Sequence, residues 1–448
     1  MTISRRDSLA LGAAALGAAS IPIIGAKAAF DDVPTADVKP PEFKIEKGAS
    51  LHMIRPAKFI DPDEVYWKKN TEEFTKKTGV EVKVDFISWE DLRPQLAVVA
   101  NTGAGADIFV SFGADPHIYS EKLVEMTDLA DYLGAKYGGW YPLALLYGQK
   151  WNTKNWLALP LGGGTGPVMY RKTWVNEVGY TEIPNDLEKF LDLCQKMQKN
   201  GHPWGMSLGH ALGDANGYSE WLLWSHNAFV VDEKGKVALD SKETIAALKY
   251  ATELQKTMVQ GTLTWNDVGN NQAYQSGAIG MTFNGVSLYY SMLKSPDQKV
   301  QAMAADTFTQ DTPYGFSKQK PMSAAPISAM LFKHSKYPNA AKEYIRFMME
   351  KDQYGLWLSS CLGYWCQPLK AYGKMNFWSS DPKLKPFATA LDSPFYDGYK
   401  GPISAASAAV IANYTVVDMF ASVVSGNATP ESAAKQAAKA AERYYKKA

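Results

Sequence analysis

GVEVKVDFISWEDLRPQLAVVANTGAGADIFV, residues 79–110, changes periodicity twice, and those changes decide the fold. From Val80 to Phe86 apolar and polar residues alternate, which is the period of a strand. From Trp89 to about Ala100 the spacing becomes helical, the turn from Gly103 to Gly105 interrupts it, and Asp107-Ile108-Phe109-Val110 is strand-like again. Working backward, residues 65–77 predict a helix that stops at Gly79, with Val65, Trp67 and Phe74 among its charges, and Leu51-His52-Met53-Ile54 predicts the strand before it. The run is therefore β-α-β-α-β. Strands that alternate with helices form a mostly parallel, doubly wound sheet, so the expected fold class is α/β.

A second such unit starts near Trp156-Leu157-Ala158-Leu159-Pro160. Val168-Met169-Tyr170-Arg171 reads as a strand, and Ile183-Pro184-Asn185-Asp186 starts a helix with Leu187, Phe190, Leu191, Cys194 and Met197 on one face. Further helices are expected over 218–227, 241–260, 337–351 and 431–447, with strands within 276–285 and 329–332. Leu161-Gly162-Gly163-Gly164-Thr165-Gly166-Pro167 is glycine-rich enough to cradle an anion, but a P-loop needs Gly-Lys-Ser/Thr where Pro167 follows here. A flexible connection between two lobes is the better reading.

The first residues follow a different logic. Arg5 and Arg6 precede an almost uncharged Ala/Leu/Gly stretch, and Ala26-Lys27-Ala28 offers a small-x-small cleavage pattern, so residues 1–28 read as an export leader. Pro34, Pro40 and Pro41 among polar residues make 29–49 a tether or irregular start. Of the 47 basic and 46 acidic residues, Arg5, Arg6, Lys27 and Asp7 fall in the leader, so the mature chain carries a net charge near −1. That balance argues against nucleic-acid and membrane-surface partners, which are gripped by clustered basic fields. No segment after the leader reads as long and apolar enough to span a bilayer.

A search for catalytic or metal-binding constellations returns little. The six His residues show no metal-ligand spacing, and no G-x-S-x-G elbow is present, so neither an enzyme nor a resident metal or cofactor is expected. Paired carboxylates acting on a saccharide stay open as an alternative, because their spacing is spatial. The adjacent Tyr289-Tyr290 leaves a ferric-ion receptor as another, phenolates being hard oxygen ligands for iron. Three cysteines are too few for a disulfide scaffold: Cys194 reads as a packed apolar residue, while Cys361 and Cys366 are near enough in sequence either to pair or to stay free. Thirteen Trp and 24 Tyr supply flat apolar faces with polar handles, suited both to a core and to a site for a hydroxylated ligand.

Several stretches, taken in order, resemble the family 1 extracellular solute-binding proteins, the family that contains the maltose-binding type. They are Phe74-x-Lys76-x-Thr78-Gly79-Val80-x-Val82, Trp89-Glu90-Asp91-Leu92, Gly105-Ala106-Asp107-Ile108, and Leu159-Pro160 followed by Val168-Met169-Tyr170-Arg171. Later come Val178-Gly179-Tyr180 through Leu187, Ala278-Ile279-Gly280-Met281-Thr282-Phe283-Asn284-Gly285, and Pro338-Asn339-Ala340-Ala341-Lys342-Glu343-Tyr344-Ile345. The resemblance implies a type II periplasmic binding-protein fold: two α/β lobes, each a mainly parallel sheet flanked by helices, joined by crossover hinge strands around a ligand cleft. It places the crossovers near 158–169, 278–284 and 322–332. The first lobe is then expected over 50–160 plus 284–322, and the second over 161–283 plus 323–448. Function follows as an expectation: a monomeric periplasmic receptor that captures a saccharide or polyol and delivers it to the permease subunits of an ABC importer. The paired arginines, with Ser4 before them, resemble the twin-arginine export signal.

Position by position, the resemblance puts Trp89, Glu90, Phe112 and Asp115 at the first-lobe rim, Asn216, Tyr218 and Trp221 on the second-lobe wall, Asn284 and Gly285 after a crossover, and Asn413 and Tyr414 at a late aromatic contact. Gly164 stands where a carboxylate contact would be, and Asn284-Gly285-Val286-Ser287 lacks the aromatic of the maltose-type pattern. Trp265, Tyr364 and Trp365 are the candidates to supply that face instead, Trp365 with a core position as its other reading.

Overall fold

A computed structural model describes residues 32–446. The leader and the first residues of the tether lie outside the described residues. The rest of the tether is irregular but packed: Val33 is buried, and the Ala36 N–H donates to the Lys136 carbonyl at 2.9 Å.

The opening alternation forms β1 (Ser50–Pro56), β2 (Glu81–Ile87) and β3 (Ile108–Phe112), with helices Asp61–Thr78 and Trp89–Thr102 between them. The first helix ends at Gly79, whose φ of 73° a side chain would resist. The second starts at Ser88, whose hydroxyl accepts from the Asp91 N–H. β1 pairs in parallel with both β2 and β3. Two later strands complete this sheet, β4 (Leu159–Thr165) and β8 (Ala324–Leu331), in the order β2-β1-β3-β8-β4. β8 runs antiparallel to both neighbours and is buried along its whole length, which explains a sequence that is apolar except for Ser328.

The second sheet has three strands, β5 (Val168–Arg171), β6 (Met281–Phe283) and β7 (Thr307–Gln310), with β5 central. Both pairings are antiparallel, which corrects the expectation of a mainly parallel second sheet. Two main cores match the two sheets. One contains Met53, Phe74, Ile327, Tyr344 and Trp357, and the other Phe190, Trp204, Leu248 and Phe420.

The lobe boundaries also need correction. β4 runs past residue 160 to Thr165 inside the first sheet, β7 lies in the second sheet, and β8 lies in the first. Helices Pro338–Met349 and Lys351–Ser360, expected in the second lobe, pack into the first core through Tyr344, Ile345 and Trp357. The cause is the buried slot between β3 and β4, which calls for a largely apolar strand; β8 fills it and brings the chain after it along. The chain passes between sheets at Gly166-Pro167, at Asn284-Gly285, between β7 and β8, and near Ser393.

The glycine run is a strand rather than a flexible connection. A Cβ on Gly162 would lie 2.5 Å from the Trp365 Cβ, and one on Gly163 would lie 2.6 Å from Leu391 Cδ2, so glycine is needed for close approach. One apolar stretch does match the length of a bilayer span, Ala405–Val424, contrary to expectation. It is two helices broken at Tyr414, where φ is 53°, and it contributes Val410, Val416 and Phe420 to the second core. Cys194, Cys361 and Cys366 are free and buried, and Cys366 Sγ sits 3.0 Å from the Gly163 carbonyl.

Candidate ligand-binding cleft

The crossovers at Gly166 and Asn284 place the ends of β3 and β4 opposite helix Asp214–Ser225, with a cleft between them. It holds about 1090 Å³ of space outside the atoms, its open mouth included, at the upper end of small-molecule sites, roughly 300–1,000 Å³.

The first-lobe wall is aromatic. Trp89, the first residue of its helix, has its ring centroid 5.7 Å from Phe59, 6.1 Å from Phe112 and 6.0 Å from Trp365. Tyr364 stands 4.5 Å from Trp365. The indole of Trp89 is fixed by donating from Nε1 to the Ala57 carbonyl at 3.1 Å, whereas Nε1 of Trp365 is buried without a partner. Gly164 leaves the room these rings need, since a Cβ there would approach Phe112 and Trp365 to 3.3 Å.

The opposite wall and the floor are acidic. Asp214, Glu220, Asp267 and Asp397 all line the cleft, and among the described residues no Lys, Arg or His does. Asp267 accepts the backbone N–H groups of Leu212, Gly213 and Asp214 at 2.8, 3.0 and 2.8 Å, which fixes the start of helix Asp214–Ser225. Burial nevertheless holds its carboxyl above the ordinary range against those donors. Asp397 accepts the Tyr147 hydroxyl at 2.8 Å and the Ala114 N–H at 3.2 Å. Glu220, 4% exposed, accepts from Ser323 Oγ at 3.0 Å. Burial, and then the charge of Asp397, push the Glu220 carboxyl well up. Burial, and then Asp267, do the same to Asp214, whose Oδ2 has no partner. The amides of Asn216, Asn271 and Asn284 complete the polar lining, with Asn284 Nδ2 donating to Asn271 Oδ1 at 2.7 Å.

Nine of the expected site residues line this cleft: Trp89, Phe112, Gly164, Asn216, Tyr218, Trp221, Asn284, Gly285 and Trp365. Within that group Trp221 has more of a structural than a platform character. It is 1% exposed, packs against Phe190, Tyr218 and Phe283, and donates from Nε1 to the Pro313 carbonyl at 2.9 Å.

Five expected residues lie outside the lining. Glu90 is exposed and accepts from Asn266 Nδ2 at 3.2 Å. Asp115 is 1% exposed and turned away to Arg93, whose Nε donates to both its oxygens at 3.0 and 3.2 Å, and to Ser111 Oγ at 2.5 Å. Burial lowers the Arg93 pKa, but the charge and hydrogen bonds of Asp115, with smaller contributions from Tyr414 and Asp397, together outweigh it, so the guanidinium stays above its ordinary value. The Trp265 ring is wedged over Gly205 and Gly269. Asn413 ends helix Ala405–Ala412 by donating to the Ala409 carbonyl, and Tyr414 stacks on His210 at 4.3 Å.

The cleft residues not foreseen include Phe59, Asp214, Glu220, Asp267, Asn271 and Asp397. Glu220 carried a readable signal, as a lone carboxylate inside Tyr218-Ser219-Glu220-Trp221-Leu222-Leu223-Trp224. Of the tyrosine pair raised for iron, Tyr289 is committed elsewhere, its hydroxyl donating to Asp381 Oδ2 at 2.6 Å, and among the described residues no cluster of His, Cys, Asp or Glu could hold a metal.

Two cores, two sheets and one cleft between them, lined from both sides, define a two-lobed binding protein. Residues 69–386 match the bacterial extracellular solute-binding protein family, and the chain belongs to it. A curated relative, the Escherichia coli K12 protein YcjN, described as an ABC transporter periplasmic-binding protein, is 24% identical over 237 residues, 51% of this chain and 52% of YcjN. The chain thus spans about half the length of that relative. Among solved structures, maltose-bound T. maritima MalE3 superposes with a TM-score of 0.74 at 20% identity, over 88% of this chain and 100% of MalE3. An Agrobacterium radiobacter K84 ABC transporter solute-binding protein in complex with ribitol gives 0.71 at 17%, over 90% and 100%. An Arthrobacter chlorophenolicus A6 sugar transporter with bound laminaribiose gives 0.73 at 14%, over 89% and 99%. At these identities the structures speak for the fold.

Proposed function

We propose that the protein is a periplasmic receptor that binds a saccharide or polyol in the cleft and hands it to the permease of an ABC importer. The observation that carries this reading is the pairing of an aromatic wall with a floor of carboxylates and amides. A sugar has an apolar C–H face and a rim of hydroxyls, and the two walls match those two surfaces. Trp89, Phe112 and Trp365 take the apolar face; Asn216, Asn284, Asp214 and Glu220 take hydroxyls. Rotation at Gly166-Pro167 and Asn284-Gly285 closes the lobes on the ligand, turning a wet site into a buried one. The receptor acts as a monomer, binds without turnover, and is exported through the twin-arginine route.

The solved relatives support the ligand class by analogy, since maltose, laminaribiose and ribitol occupy three of them. The test is thermal stability and tryptophan fluorescence of the mature chain across saccharides, polyols, amino acids and phosphates. A saccharide or polyol should raise the melting temperature by mass action and change the fluorescence. Stabilisation by amino acids or phosphates alone refutes the solute class, and turnover of a bound glycan refutes the receptor.

A further inference from the structure

We propose that the solute carries a protonated amine on its hydroxylated frame. This rests on the reading of the cleft as a saccharide or polyol site, and narrows it.

Among the described residues four carboxylates line one cleft and no basic side chain joins that lining. Two are committed to the protein: Asp267 to three backbone N–H groups, and Asp397 to the Tyr147 hydroxyl and the Ala114 N–H. Two keep capacity. Asp214 Oδ2 has no partner although it is buried, and among the described residues the Glu220 carboxylate accepts one hydrogen bond, that from Ser323. The basic group on the first-lobe side, Arg93, is held by Asp115 and does not reach the lining.

A hydroxyl can donate to such an acceptor, but it brings no charge to offset the ionised form that burial disfavours. An ammonium supplies three donors and the compensating charge together, and its hydrogen bonds to a carboxylate are about twice as strong as neutral ones. The facing wall has the same preference. Trp89, Trp365, Tyr364, Phe59 and Phe112 form one ring cluster with neighbouring centroids 4.5 to 6.3 Å apart, and aromatic faces attract cations. Carboxylates on one side and aromatic faces on the other make a receptor for a cation attached to an apolar and hydroxylated body.

The experiment compares matched triplets on the full mature chain: glucose, glucosamine and N-acetylglucosamine, the same triplets in the galactose and mannose series, and the β-1,4-linked dimers of the glucose series, with putrescine as an amine lacking hydroxyls. Binding is read by tryptophan fluorescence and thermal shift. The amine member of a triplet should bind roughly tenfold or more tighter than both neutral members, as one added charge-assisted contact predicts. Asp214→Asn should bring that preference down to about threefold or less while the variant stays folded by thermal melt; Glu220→Gln is the second variant should that one fail to fold. Neutral members binding as tightly as the amine would overturn the inference and leave the saccharide reading standing. Putrescine binding without any hydroxylated compound, or no binding at all, would overturn both.

Discussion

Arg93→Met cuts one buried charge pair and leaves the helix carrying it otherwise intact. In the folded protein Arg93 Nε reaches both oxygens of Asp115, whose side chain is 1% exposed, while that of Arg93 is 15% exposed. Removing one partner of a buried pair costs about 3–5 kcal/mol, because the other charge is stranded. Ser111 Oγ still donates to Asp115 in the variant, so the lower figure, ~3 kcal/mol, is the expected loss, about a hundredfold in the unfolding equilibrium. Asp115→Asn in the same background removes the stranded charge at constant shape and should recover roughly 2 kcal/mol. Urea denaturation of the four members of this cycle measures both numbers. A loss below about 1 kcal/mol for Arg93→Met, or strictly additive single effects, refutes the view that this pair is shielded from solvent.

The two tryptophans on opposite walls should behave differently. Trp89→Ala weakens ligand binding with a modest stability loss, whereas Trp221→Ala costs about 3–5 kcal/mol as a core truncation; equal losses in a thermal melt would contradict that division. Burial, and then Asp267, raise the Asp214 carboxyl, so its contribution to stability is present below the unfolded value of about 3.9 and is lost as pH rises through the folded one. Asp214→Asn cannot ionise, so the unliganded variant should be more stable than the parent by about 1 kcal/mol or more, with a margin that widens from roughly pH 5 to pH 8; a margin independent of pH rejects the assignment. Arg5→Lys together with Arg6→Lys should leave folded precursor in the cytoplasm, as fractionation and blotting would show, and normal export of that variant would point to the general secretory route.

The elements legible in the sequence are those whose signal is local. Val80 to Phe86 alternates because β2 has one covered face, and Ser88 precedes its helix because a hydroxyl there satisfies the Asp91 N–H. β8 was readable as an apolar strand but not as an interior strand of the first sheet, since its register with β3 and β4 depends on residues more than 150 positions away. That is why the lobe boundaries moved. The cleft was partly legible for the same reason: Trp89, Phe112 and Asn284 sit at element ends that family order marks. Asp267 and Asp397 come from distant segments and meet only in three dimensions. Asp115 shows the opposite error, a carboxylate at the right strand end whose side chain turns to Arg93 instead.

The position of β8 also constrains how the chain acquires its structure on the ribosome. β3 and β4 cannot be joined until residues 324–331 have emerged, by which time everything that forms the second sheet has already been synthesised. The second core is itself incomplete until the segments carrying Phe420 and Ala434 arrive. The first half therefore waits for residues 324–331 and the second for the segments carrying Phe420 and Ala434, and both reach their native arrangement through contacts of long sequence separation that form slowly. Until then β3 carries an unpaired edge open to other chains. A chaperone that shields that edge in the nascent polypeptide would suppress edge-to-edge association until the sheet is complete.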